Sequence, residues 1–242
     1  MSQTSSANWA HAGAATEKAN LRISFLHTIA ANQSLFEEAS IAMGLSPQNI
    51  RHELRADLRE AAEARGALTD DLRSQTVERL LALASESDVV VLTCATLGPA
   101  ADGLQDAAVA IVRADTALAH LASAMGGKIS VLCAAESALA SVRRIYDRAA
   151  PAGAAQPTVV HLPHVWNLFR AGEREACFAA IASSARAEYE AGADIVTLAH
   201  PWMAPAAKLV TGSKRPLDIP SAALELAVER GLAGGYRQMR KQ

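Results

Sequence analysis

One stretch of this chain occurs twice. Asp88-Val89-Val90-Val91-Leu92-Thr93-Cys94-Ala95-Thr96-Leu97-Gly98-Pro99-Ala100-Ala101 is matched without a gap, 106 positions further on, by Asp194-Ile195-Val196-Thr197-Leu198-Ala199-His200-Pro201-Trp202-Met203-Ala204-Pro205-Ala206-Ala207, with identities at Asp, Val, Leu, Pro, Ala and Ala. In the first copy a β-branched run reads as a buried strand that ends at a thiol, turns through Gly-Pro and opens into an Ala-rich helix. Cys94 thereby falls at the carboxyl end of a strand, where open α/β sheets keep their chemistry. The second copy puts His200 in that place. The same spacing lays Lys128-Ile129-Ser130-Val131-Leu132-Cys133-Ala134 on Arg22-Ile23-Ser24-Phe25-Leu26-His27-Thr28, and Ala223-Leu224 on Ala117-Leu118. Three matches at one offset predict a duplicated strand-helix-strand-helix unit.

The segments between these anchors alternate strand and helix signals. Residues 21–26 read as a first strand. Ser34 starts a helix that Gly44 stops, and 50–54 is a second strand carrying His52. Charged helical sequence follows over 55–65, and Thr69 with Asp70 and Asp71 caps a helix that feeds the Cys94 strand. Further strands are expected at 109–112, 158–162 and 215–219. An Ala/Leu helix ends at Gly126-Gly127, and an amphipathic helix spans 173–192. This alternation predicts an α/β fold of two pseudo-symmetric lobes, each a mainly parallel sheet flanked by helices, with an active-site cleft between them. The expected division is a disordered tail over 1–20, lobe 1 over 21–112 completed by 216–242, and lobe 2 over 113–215. Cys94 and His200 become symmetry mates.

Composition narrows the partners. The 242 residues are 50% hydrophobic and 20% charged, enough for a sizeable core, and the net charge of −2 comes without any Lys/Arg stripe interleaved with aromatics. Nucleic acid is therefore disfavoured and a small ligand favoured. Cys94, Cys133 and Cys177 are an odd number without CxxC or finger spacing, which argues against a disulfide framework or a structural zinc and for a reducing cytoplasm. Residues 1–20 lack the basic start and apolar core of a signal peptide. No apolar run reaches the roughly 18 residues of a membrane span. No metal and no cofactor are expected, and a homo-oligomer is left open.

Several segments, in this order and spacing, resemble the cofactor-independent aspartate/glutamate/hydantoin racemase superfamily. Asp88 to Thr96 is similar to that family's apolar strand with Cys-x-Thr. Gly192-Ala193-Asp194 to Leu198, with the turn at His200, is similar to its second cysteine strand, and Val131 to Ser137 to its strand and Thr-x-x-Thr turn. Arg113-Ala114-Asp115 with the following helix, and Pro216 to Gly231, complete the likeness. The resemblance implies a duplicated α/β unit, no cofactor, and one cysteine from each half flanking a small carboxylate substrate. Three positions depart from it. His200 replaces the second cysteine and is followed by Pro201-Trp202 instead of Thr-His. Ala134 replaces the first threonine of the turn, leaving Ser137. His27-Thr28 stands where amino-acid racemases carry the Asp-Ser pair that serves the substrate amine, so the resemblance implies the scaffold and not aspartate or glutamate as substrate.

Racemising a carbon acid without a cofactor takes a proton from one face and returns one to the other, which a pseudo-symmetric pair of groups supplies. A thiolate serves as base when its pKa is lowered, as the start of a helix does, and imidazole titrates near neutrality. Cys94 and His200 are the catalytic candidates, and His27, Thr28, Asn32, Thr96, Ser137 and Trp202 the substrate-binding ones. Each has a plainer alternative. Cys94 fits a small buried hydrophobe and His200 a structural histidine bonded to a backbone carbonyl. His27, Thr28, Thr96 and Ser137 fit helix caps, and Trp202 simple packing. Cys133 and Cys177 read as core, His52 and His161 as ordinary strand residues, and Arg113 with Asp115 as an ion pair or cap. Three functions stay open: a racemase or isomerase of the aspartate/glutamate racemase type; an arylmalonate-type decarboxylase or maleate-type isomerase; and a non-catalytic metabolite-binding protein, which a thiol titration separates from the enzymes.

Overall fold

The computed structural model describes residues 18–105 and 107–239; of the expected tail only 18–20 fall within it, as a helical turn, and 1–17 lie outside the described residues. Two four-stranded sheets form the framework. The first has the order β2-β1-β3-β4, with β1 at Ile23–His27, β2 at Ile50–Leu54, β3 at Val89–Leu92 and β4 at Ala110–Arg113. The second has the order β6-β5-β7-β8, with β5 at Ile129–Cys133, β6 at Thr158–His161, β7 at Ile195–Leu198 and β8 at Leu217–Asp218. β1 runs parallel to β2 and β3, and β5 to β6 and β7. The central strands are buried on both faces, as parallel strands covered by helices must be, which is why their residues do not alternate apolar with polar.

The duplication is exact to the residue in the central strand pairs. Ile23 lies opposite Val89 in the first sheet and Ile129 opposite Ile195 in the second. Each pair is clamped at its start by the repeated aspartate. Asp88 Oδ2 accepts the Arg22 backbone N–H at 2.9 Å and the Asp88 N–H donates to the Arg22 carbonyl at 2.9 Å. Asp194 does the same with Lys128, at 2.9 Å in both directions. The far ends match too, with the Thr93 N–H on the Leu26 carbonyl at 3.1 Å and the Ala199 N–H on the Leu132 carbonyl at 3.0 Å. Gly127 is required beside the second clamp, because at φ +87° an added Cβ would stand 2.8 Å from Asp194 Oδ2.

The chain divides into two compact units, one ending at Val112 and resuming at Leu224, the other Arg113–Ala223. In the first, α1 (Ala31–Ala42), α2 (Ala56–Ala64) and α3 (Asp70–Ala84) bury Phe36, Leu58, Leu80 and Leu83. Thr69 caps α3, its Oγ1 accepting the Leu72 N–H at 3.4 Å. In the second, α4 (Ala114–Met125), α5 (Leu139–Ala149), α6 (Pro163–Ala171) and α7 (Arg174–Glu190) surround a core that includes Val131, Val142, Tyr146 and Ile195. Tyr146 donates to Thr197 Oγ1 at 2.7 Å within it. The last helix, α8, is Ile219–Met239.

Three expectations need correction. The return to the first unit falls at Leu224 and not at 216, because Leu217 and Asp218 pair with Thr197 and Leu198 of β7. The Ala-rich segments after β3 and β7 are 3₁₀ segments, Gly98–Gly103 and Pro201–Leu209, because Pro99, Pro201 and Pro205 lack the N–H that an α-helix would use. α1 begins at Ala31 rather than at Ser34, and no side chain caps it.

Candidate active site

In the first unit, the carboxyl ends of β1 and β3 hold His27-Thr28 and Thr93-Cys94 side by side. Cys94 is 7% exposed. The neighbouring hydroxyls of Thr28 and Thr96 and the backbone N–H groups of Thr96 and Leu97 favour its thiolate. Burial outweighs them and pushes the thiol pKa up. The lowered pKa expected from a helix start is therefore not found, since the turn leads into a short 3₁₀ segment and not an α-helix. The resting group is a protonated thiol ringed by donors. Thr28 is buried and Thr96 exposed. Asn32, in the first turn of α1, is 2% exposed, and its Oδ1 has no hydrogen-bond partner.

His27 does not reach outward to a ligand, as the sequence reading had it. It is fully buried, and both ring nitrogens are bonded inside the unit: Nδ1 to Thr93 Oγ1 and Nε2 to His52 Nδ1, each at 2.8 Å. Phe25 and Phe36 pack against the rings. Desolvation, with His52 alongside, takes the His27 pKa down to about 3, so the imidazole is neutral near pH 7. His52 and Thr93 are the members of this cluster that the sequence reading missed. The signal available was a histidine ending β1 and another in the middle of the adjacent β2, legible only once the register Phe25 to His52 is known.

The second unit shows the same positions with the residue types exchanged. Cys133 ends β5 where His27 ends β1, and His200 follows β7 where Cys94 follows β3. His200 Nε2 accepts the N–H of Ala134 at 3.1 Å and of Ala135 at 3.2 Å, with Cys133 Sγ at 3.6 Å. Two amide donors on Nε2 leave the proton on Nδ1, and burial takes the pKa down to about 4. His200 is thus bonded to backbone, although to amides and not to a carbonyl. Burial raises the Cys133 thiol to about 11, so this thiol and imidazole are both neutral.

Trp202 is 2% exposed, parallel to the His200 ring and 4.0 Å from the Phe169 ring, so its indole packs in an aromatic cluster with both. Ser137 is exposed within the 3₁₀ segment Glu136–Ala138. Cys177 is buried, with its thiol on the Val165 carbonyl. Arg113 and Asp115 form an ion pair at 2.9 Å, and Asp115 also caps the Thr116 N–H. Among the described residues no group of three or more His, Cys, Asp or Glu is arranged to hold a metal, and no helix is long and apolar enough to cross a membrane.

No protein-family model matches this sequence, and no curated protein matches it. Solved structures do match in fold. An aspartate racemase homologue from Pyrococcus horikoshii superposes with a TM-score of 0.63 at 12% identity, over 87% of this chain and 99% of its own. Allantoin racemase from Pseudomonas fluorescens gives 0.60 at 20% identity, over 88% and 92%. Glutamate racemase from Thermus thermophilus gives 0.57 at 13%, over 90% and 83%. Two parallel four-stranded sheets, whose central strand pairs repeat to the residue at 106 positions, give this chain the α/β fold of the aspartate, glutamate and allantoin racemases.

Proposed function

We propose that this protein is a cofactor-independent enzyme of the racemase or isomerase type, moving a proton at the carbon next to a carboxylate or amide, with Cys94 as the proton-transfer group. The observation that carries this reading is the position of Cys94 just past the carboxyl end of β3, beside His27-Thr28 at the end of β1, with hydroxyl and amide neighbours that favour its thiolate. These groups lower the cost of the thiolate once it forms, and Thr96, being exposed, is able to turn to a substrate oxygen. Asn32 Oδ1, a buried acceptor without a donor, suits a substrate N–H and favours an amide or amine-bearing carbon acid. The racemase names carried by the structural neighbours agree with this reaction type.

His200 favours a second reading on the same scaffold. A group that accepts and returns a proton needs a free nitrogen, whereas Nε2 already takes two amide N–H bonds. A reaction needing only one proton donor, such as an arylmalonate-type decarboxylation, is served by the protonated Cys94 thiol alone. The carboxylate leaves as carbon dioxide, its bonding pair passes to the α-carbon, and the thiol proton quenches that carbanion.

The test is incubation in heavy water with small α-amino, hydantoin-type and malonate-type acids. Deuterium entering the α-carbon, with loss of optical purity, supports the racemase reading. Single-face incorporation with carbon dioxide release supports the decarboxylase. Either must vanish in Cys94→Ala, and exchange that survives there removes Cys94 from the chemistry.

A further inference from the structure

The hydrogen bonds around His27 have one consistent direction. Thr93 Oγ1 donates its single proton to the Leu26 carbonyl at 3.2 Å, so it accepts from His27 Nδ1–H. With its proton on Nδ1, His27 presents the Nε2 lone pair to His52 Nδ1–H. The chain of bonds thus runs from β2 through β1 to the residue preceding Cys94. A second tie crosses the same two strand ends, from the Thr93 N–H to the Leu26 carbonyl at 3.1 Å, and the Thr28 hydroxyl is a neighbour of Cys94 that favours its thiolate. His27-Thr28 and Thr93-Cys94 are therefore laced together twice, and the ring that anchors the lacing is held in turn by His52. Nothing else on β2 performs this: Arg51 pairs with Glu86, and Glu53 with Arg79.

We propose that His52 is a positioning residue for Cys94: its Nδ1–H holds the His27 ring, the His27 ring holds Thr93, and Thr93 fixes the sulfur within reach of its hydroxyl and amide donors. This rests on the reading of Cys94 as the reacting group, but its test does not need turnover. The strand ends supply parallel backbone geometry on their own. What the imidazole pair adds is a fixed side-chain position on the residue next to the thiol, the kind of supporting contact that separates a sulfur held beside its donors from one merely close to them.

The experiment is alkylation of the intact protein by iodoacetamide at pH 8.5, with each cysteine followed by peptide mass. His52→Phe removes the donor and is expected to slow labelling of Cys94 about tenfold, because the sulfur loses hydrogen bonds that favour its thiolate. His52→Asn places an amide N–H near the position of Nδ1 and should return the rate to within about threefold of the unsubstituted protein. His52→Gln, whose amide matches Nε2 instead, should not. General loosening would speed Cys133 and Cys177 as well, and a purely structural role for His52 would not separate Asn from Gln. A Cys94 rate in His52→Phe within threefold of the unsubstituted protein, or faster, overturns the proposal. If His52→Phe does not fold, equal rates in the Asn and Gln variants overturn it. The racemase reading fails separately, by absence of deuterium exchange in the unsubstituted protein.

Discussion

Acid should loosen both units of this protein before its arginine-paired carboxylates titrate. His27 in the first unit and His200 in the second are held neutral, with pKa values down to about 3 and about 4, against about 6.5 for an unfolded histidine. A depressed histidine pKa means that the unfolded chain binds protons the folded one refuses, so stability falls as the pH drops below about 6.5 and keeps falling until the folded pKa is reached. Between pH 7 and pH 5 the unfolded form of each residue gains about 1.9 kcal/mol, from about 1.4 kcal/mol per pH unit below 6.5. Together they remove about 4 kcal/mol, a large share of the roughly 5–15 kcal/mol that holds a typical domain. His52, also lowered by burial, acts in the same direction, whereas Asp218, whose carboxyl burial pushes up, offsets part of the loss. Glu53, Asp57 and Asp88 are shifted down by their arginine partners and stay ionised in this window. Urea unfolding followed by circular dichroism at both pH values is the assay. With a slope of about 3 kcal/mol per molar urea, the midpoint should drop by roughly 1.3 M. His27→Gln and His200→Gln should each remove about half of that pH sensitivity, whatever they cost at pH 7. A midpoint that is unchanged at pH 5, or variants that keep the full drop, would refute the assignment of neutral imidazoles at these sites.

Asp88→Ala and Asp194→Ala each unclamp one strand pair and should cost about 1 kcal/mol, adding in the double variant because the clamps lie in separate units. Gly127→Ala, forced to φ +87° with its Cβ against Asp194, should lose about 2 kcal/mol, and part of that should return in an Asp194→Ala background; full additivity would argue against the close approach. Tyr146→Phe leaves the buried Thr197 hydroxyl without its donor and should lower stability by about 1 kcal/mol in denaturant titrations, whereas a neutral result would mean that the bond at 2.7 Å carries no net energy.

The duplicated framework was legible because its repeated residues do the same work in both copies. Asp88 and Asp194 make the same clamp, and Pro99 and Pro205 end up in equivalent 3₁₀ segments. Of the central strands, β3 and β7 could be placed by their β-branched runs and β1 and β5 by short apolar runs. What the sequence hid depends on contacts between segments distant in the chain. The His27 to His52 bond requires the register of β1 on β2, and no local pattern encodes that. The thiol's raised pKa follows from burial among residues of several elements, so the nearby turn pointed the wrong way. The boundary at Leu224 lies inside an unbroken helix, where neither a proline nor a cap marks the change of unit.

That boundary has a consequence for how the molecule is made. Residues 113–223 are contiguous, so a nascent chain can close this body as soon as it has left the ribosome. The earlier body waits, because its missing piece starts at Leu224 and includes Gly231, which lies against Leu21. Until then, Leu21 and the residues around it lack that packing partner. A stop codon placed near 223 should therefore damage the amino-terminal half of the protein while sparing the half synthesised after it.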